Sequence, residues 1–232
     1  MKTLVICAAL LASGCATSNA YLDIQGAAWR KTEAFSATQF AIGVIETSGR
    51  NRFDPKGTIK VVDFPVVAQT TYYSDETARA AIQAEGKFKP GVVDVDAAIE
   101  SEIQRRQKSR YVIFRTLDPF KLVDRMNAPE NLTTLTLLKG QKNPVIVTGT
   151  AVSFENELYK KVDSGVKANA SISSGAASPQ FTLGGDYSSE IKASFSDGTV
   201  FAYEYSAIEW DSSSPTAKVK GLSIDRPMNP WY

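Results

Sequence analysis

Ile191-Lys192-Ala193-Ser194-Phe195-Ser196-Asp197-Gly198-Thr199-Val200-Phe201-Ala202-Tyr203 carries the strand grammar that decides the fold. Ile191, Ala193 and Phe195 alternate with polar residues, and a β-branched and aromatic run follows Asp197-Gly198. Alternation of period two marks a half-buried strand, and Asp-Gly is a strong two-residue hairpin signal. The stretch therefore predicts strands over Glu190–Ser196 and Thr199–Trp210, joined at Asp197-Gly198. Upstream, Val145–Phe154, Val166–Ser173 and Gln180–Tyr187 read the same way, separated by Asp163-Ser164-Gly165, Ser174-Gly175-Ala176 and Gly184-Gly185-Asp186. Val166, Ala168, Ala170 and Ile172 share one face. A C-terminal antiparallel β-meander is expected.

The first half is mixed. Gln39–Ile45 and Thr58–Val67 read as strands, the second interrupted by Pro65, which suits an edge or a break. Asp54-Pro55-Lys56-Gly57 reads as a turn. Ser74 is a candidate N-cap for a helix over Asp75–Glu85 that stops at Gly86. Asp94–Lys108 carries Val95, Ala98, Ile99, Glu102 and Ile103 at helical spacing, with a basic run from Arg105 to Arg110 read as a solvated C-terminus. Tyr111–Phe114 reads as a buried strand, and Asp118–Met126 as a short helix with Pro119 at its first position. Leu132–Leu138 fits helix by its leucines and strand by its threonines. The expected class is α+β: a mixed N-terminal half with two amphipathic helices, then the meander. Residues 29–211 are expected to form one domain, and Ser212–Tyr232 a polar, Pro-containing tail with Val219, Leu222, Ile224 and Trp231 as candidate docking residues.

Composition narrows the chemistry. The chain has no histidine, which removes Ser-His-Asp and Cys-His nucleophiles and His-ligated metals. No phosphate loop and no G-x-S-x-G elbow occurs. Glu100 and Glu102 lie two apart and do not share a helix face; Asp94 and Asp96 lack the spacing of a calcium loop. No enzyme, metal or cofactor is expected. With 26 basic against 25 acidic residues, the chain has no electrostatic footprint for nucleic acid. Tyr72, Tyr73 and Trp210 are candidate ligand-facing aromatics. Arg110 and Arg115 flank the Tyr111–Phe114 strand, facing a ligand or forming surface ion pairs.

The N-terminus sets the compartment. Lys2 is followed by an uncharged apolar run from Leu4 to Ala12. As a helix it would rise about 14 Å, too short for the ~30 Å of a bilayer core, and it reads as a signal peptide. Ala12-Ser13-Gly14-Cys15 then resembles the lipobox of bacterial lipoproteins. The resemblance implies cleavage between Gly14 and Cys15, with residues 1–14 removed and Cys15 acylated. Residues 15–28 would be a lipidated tether, partly ordered by Tyr21, Leu22 and Ile24. Ala16 implies the outer membrane of a Gram-negative cell. Cys7 leaves with the signal, so the mature domain would hold no disulfide.

A second resemblance covers about residues 130–210. Asn131–Leu138, Asn143-Pro144-Val145-Ile146-Val147-Thr148, the glycine-rich Ser171–Gly185 and Ser196–Tyr203 are similar to the gasdermin pore-forming fold. That likeness implies hairpins that insert as a β-barrel, which need alternating segments of about ten residues, and an inhibitory role for Ser212–Tyr232. The leading expectation is a lipid-anchored, non-catalytic envelope module that binds or scaffolds another envelope protein. A pore former is the alternative.

Overall fold

The computed structural model describes residues 21–25, 27–32, 38–46, 52–86, 95–154, 168–174, 179–183 and 191–224. The chain is α+β: the described residues form four α-helices and a twelve-stranded sheet in which every described pairing is antiparallel. The signal and Cys15 lie outside the described residues.

The sheet is built on two long strands, β7 (Pro144–Phe154) and β11 (Gly198–Trp210). They pair from Gly198↔Phe154 to Ala207↔Val145, with two bulges. Each gives its outer edge to two neighbours. On β11, Ala202 and Tyr203 take β2 (Ala27–Lys31), and Ser206–Trp210 takes β12 (Val219–Ile224). On β7, Gly149–Val152 takes β6 (Arg110–Thr116), and Pro144–Ile146 takes β3 (Ala41–Glu46). β1 (Tyr21–Ile24) adds to β2, and β4 (Arg52–Thr58) to β3. Beyond β6 the order runs through β5 (Val61–Tyr72), β8 (Ala168–Ser174), β9 (Gln180–Leu183) and β10 (Ile191–Ser194).

Thr148 falls where β3 gives way to β6, and its carbonyl would lack a strand partner. Fully buried Gln39 fills the gap. Its Nε2 donates to the Thr148 carbonyl at 2.9 Å and to Thr116 Oγ1 at 3.2 Å, and its Oε1 accepts from Thr150 Oγ1 at 3.1 Å. Next to it Phe40, at φ 63°, donates its backbone N–H to Val147 O at 3.0 Å.

Both faces of β6 are covered, which explains the unbroken Tyr-Val-Ile-Phe run. Tyr111 and Ile113 pack with Tyr73, Trp29 and Phe201 under α1 (Asp75–Ala84) and α2 (Val95–Gln107). Val112 and Phe114 enter the larger core on the other face. There the sheet curls back on itself. Phe181 of β9 stands 4.8 Å from Phe114, centroid to centroid, although β5 and β8 separate their strands. Phe154 and Phe195 complete the group at 5.6 and 5.4 Å from Phe181. The curl coincides with a bulge in β5 between Val61 and Phe64. There Asp63 takes φ 46° and Ser173 Oγ accepts its N–H at 3.0 Å. Bulges bend a strand and increase its twist. Helices α3 (Pro119–Met126) and α4 (Leu132–Leu138) close the core with Leu122, Met126, Leu135 and Leu138.

Local signals set the helices. Ser74 and Thr77 form a reciprocal capping box, with Ser74 Oγ accepting from Thr77 N at 3.2 Å and Thr77 Oγ1 from Ser74 N at 2.8 Å. Gly86, at φ 65°, follows the end of α1. Asp118 caps α3 through Lys121 N at 2.9 Å, with Pro119 in the first turn. Leu132–Leu138 resolves as helix because Leu135 and Leu138 point into the core.

Several expectations change. Asp54-Pro55-Lys56-Gly57 is part of β4 rather than a turn. Among the described residues β4 pairs only with β3, so Pro55 sits in an edge strand, where its missing N–H is tolerated. Asp197-Gly198 is not a hairpin. β8, β9 and β10 follow one another as a meander, but β11 then leaves to pair with β7. Asp197 instead closes a capping box, its Oδ2 accepting from Ser194 N at 2.9 Å. Outside 29–211, β1 and β12 also join the sheet. Leu22 and Ile24 of β1 are buried, and so are Ala217 and Val219 at the start of the expected tail.

Phe181→Ala is expected to lower stability by about 3–5 kcal/mol, the usual cost of emptying a buried aromatic site. Phe120→Ala, at a side chain 83% exposed, is expected to change it by no more than about 0.5 kcal/mol. Urea unfolding followed by circular dichroism measures both.

Candidate functional site

Arg30 is buried against the rings of Tyr21 and Tyr205 and donates to the Tyr205 hydroxyl; two further places bring charge under cover, and they differ in how the charge is held. At the first, α1, α2 and β7 meet. The expected solvated C-terminus of α2 holds for Arg105 and Lys108, which are exposed, but not for Arg106, whose side chain is only 8% exposed. Its Nη2 donates to Glu85 at 2.5 Å, its Nε to Glu102 at 3.0 Å and its Nη1 to Ser153 at 3.0 Å. Ser153 Oγ donates in turn to Glu85 Oε1 at 3.0 Å. Every guanidinium nitrogen is engaged, so this cluster clasps the helix pair to the sheet. Burial pushes the neighbouring Tyr73 hydroxyl up to about 12, against the lowering effect of its bond to Ser153 and of the Arg106 charge. Tyr111 is raised by burial as well. Hydrogen bonds from Arg105 and Arg106 hold the Glu102 carboxyl down at about 2.

The second place is a cleft of about 170 Å³ on the same sheet face, lined by Gln25, Val67, Gln69, Ile113, Arg115, Thr116 and Leu117. The cross-strand register explains its shape. Val67 lies opposite Arg115 and Gln69 opposite Ile113, while Arg115 lies opposite Gly149 and Gly149 opposite Glu204. Gly149 leaves a gap between Arg115 and Glu204, and the Trp29 indole enters it. A Cβ at 149 would stand 3.0 Å from Trp29 Cη2 and 3.1 Å from Glu204 Oε2. The Arg115 guanidinium lies over the Trp29 ring at 4.9 Å, and its Nε is 3.3 Å from Glu204 Oε2. That approach lacks hydrogen-bond geometry. Nε and Nη2 of Arg115 have no hydrogen-bond partner among the described residues. Arg115 is thus held by a stack and an offset ion pair; its Nε and Nη2 are sealed from solvent without a partner, which leaves Nη1 as the nitrogen not so sealed, on a side chain 32% exposed.

The sequence-predicted aromatics do not converge on this cleft. Tyr72 is exposed at the end of β5 and accepts from Arg110 Nη2 at 2.9 Å, with the guanidinium 4.8 Å over its ring. Tyr73 is buried against Tyr111 at 4.8 Å. Trp210 is half-buried near the far end of β11, against the large core. Of the two arginines flanking β6, Arg110 forms the surface pair with Tyr72 and Arg115 faces the cleft. Trp29, Gly149, Glu204, Gln25 and Gln69 carry no local signal for this role, because they come from separate strands and meet only through register. Among the described residues no cluster of acidic or cysteine ligands could hold a metal ion.

Arg106→Met is expected to cost about 3–5 kcal/mol by stranding the Glu85 charge. Glu85→Leu combined with it is expected to recover most of that loss in urea unfolding. Glu102 also makes stability depend on acid. Its folded value lies below the ordinary 4.5, so its contribution is complete above pH 4.5 and is lost as pH falls through about 2. Glu102→Gln is expected to flatten that part of the stability profile. No family model, curated protein or solved structure matches this chain.

Proposed function

We propose that the chain is a lipid-anchored envelope protein whose domain is a non-catalytic binding module, with the Arg115 cleft as its point of recognition. The observation that carries the reading is the order of residues 2–15: one cation, an apolar run, then Ala12-Ser13-Gly14-Cys15. Acyl chains on Cys15, at ~0.8 kcal/mol per buried CH₂, would hold the protein at a membrane. Charge would not, since the chain is close to neutral. From Cys15 to Tyr21 the chain reaches at most about 21 Å when extended, so an acylated Cys15 would keep β1 close to the bilayer. The converging groups in the cleft favour recognition over turnover. They are a guanidinium and two amides, and the neighbouring Glu204 carboxylate is paired with the guanidinium. The proposed partner is another component of a Gram-negative outer membrane or periplasm.

Intact mass of the mature protein is expected to show loss of residues 1–14 and addition of acyl groups. Cys15→Ser is expected to abolish both and to move the protein from the membrane to the soluble fraction. An unmodified mature mass, or a Cys15→Ser protein that stays on the membrane, would refute the anchor. The gasdermin likeness sets a contrasting outcome: dye release from liposomes by the intact protein would favour the pore-forming reading. The intact chain is the right sample, because removing Ser212–Tyr232 would also remove the buried Ala217 and Val219.

A further inference from the structure

We infer that the Arg115 cleft binds a free carboxylate on a short apolar stem, a chemistry shared by the C-terminal residue of a peptide and by a fatty acid. The inference deepens the binding-module reading and rests on it only for biological context. A guanidinium presents five N–H groups in a rigid fork that matches a carboxylate. Arg106 spends its fork on Glu85, Glu102 and Ser153. Arg115 makes no hydrogen bond to the described residues, but its Nε and Nη2 are buried away from solvent, which leaves Nη1 as the nitrogen for a ligand carboxylate; Trp29 and Glu204 orient the group.

The lining matches such a ligand in both halves. Gln25 and Gln69 bring amide donors to the same cleft as Arg115. Val67, Ile113 and Leu117 supply apolar walls, and Leu117 is 60% exposed at the rim. At about 170 Å³ the space falls below the ~300–1,000 Å³ of a site that swallows a whole drug-sized ligand. It suits one terminal group and its first few carbons. Capture of a chain-terminal carboxylate is an established mode of peptide recognition.

Glu204 supplies the internal check. Its carboxylate lies beside Arg115 at 3.3 Å without forming a hydrogen bond, where it shields the guanidinium and repels an incoming anion. A ligand carboxylate would have to compete with it. Loss of the Glu204 charge should therefore strengthen binding, whereas loss of the Arg115 charge should abolish it. A purely structural ion pair gives no such opposite signs.

The test is isothermal titration of the full-length mature protein in detergent with three probes: N-acetyl-Ala-Ala, its C-terminal amide, and decanoate. The acid dipeptide or decanoate is expected to bind, and the amide to bind at least about tenfold more weakly, as loss of a charge-assisted bond implies. Arg115→Gln is expected to reduce acid binding by a similar factor, and Glu204→Gln to increase it. The two acids separate the sources, since preference for the dipeptide assigns a peptide terminus and preference for decanoate a lipid acid. Equal binding of acid and amide, no binding of either acid, or a Glu204→Gln protein that binds acid no better would overturn the inference. If Arg115→Gln fails to fold, Glu204→Gln and the acid–amide comparison still decide it. Lipidation is read separately by mass, so the anchor and the cleft can fail independently.

Discussion

The outer edge of β7 serves two strands, and the fold depends on how that sharing is sealed. A strand edge presents backbone donors and acceptors, and a buried carbonyl left unpaired there costs roughly 1–3 kcal/mol. β3 and β6 cannot both reach Thr148. Gln39 solves this with one side chain that donates to the Thr148 carbonyl and joins Thr116 and Thr150. The positive φ of Phe40 turns the chain so that its N–H reaches Val147 and its ring enters the large core. One residue supplies the polar seal and the next the apolar wedge.

From this junction the sheet can fork. One branch runs through β3 and β4, and the other through β6, β5 and β8 to β10. The second branch curls until its phenylalanines meet across the fold, which leaves β6 covered on both sides. The cleft follows from the same geometry. α1 and α2 shelter the part of the sheet face around Tyr73 and Tyr111. The part around Arg115 stays open, bounded by the β1–β2 turn at Gln25 and by Leu117 after β6. A glycine on the central strand then lets side chains from both neighbours meet above it.

Features encoded within a few residues were legible in the sequence. Ser74 with Thr77, and Asp118 with Pro119, announce helix starts through local hydrogen bonds and fixed φ, and both helices begin there. Alternation identified the C-terminal strands and hence the α+β class. Pairing was not legible, because it depends on contacts far apart in sequence. Asp197-Gly198 has hairpin chemistry, yet β11 finds a longer ladder on β7 than the four-residue β10 could offer. Pro55 looks like a breaker until its strand proves to be an edge. Arg106 sits in a basic run that reads as solvated, and only the folded chain brings Glu85 of the neighbouring helix against it. The cleft was legible in a single residue, Arg115, as one of two arginines flanking a strand.

Arg106 and Arg115 show why burial of charge alone does not identify a functional residue. Arg106 is the more buried, and its donors are matched by two carboxylates and a hydroxyl, so the protein itself completes its chemistry. Replacing such a cluster changes stability. Arg115 is less buried, yet its immediate surroundings are less complete: an aromatic face beneath it, a carboxylate in poor geometry, and open space beyond. Stacking restrains a guanidinium without consuming its N–H groups, because the ring meets its plane while the donors point outward along that plane. An arginine held this way loses little further freedom when an anion arrives, and preorganisation of that kind reduces the entropic cost of binding. Nε and Nη2 of Arg115 are sealed without partners, so the restrained charge and the remaining nitrogen, Nη1, are what mark the cleft for recognition.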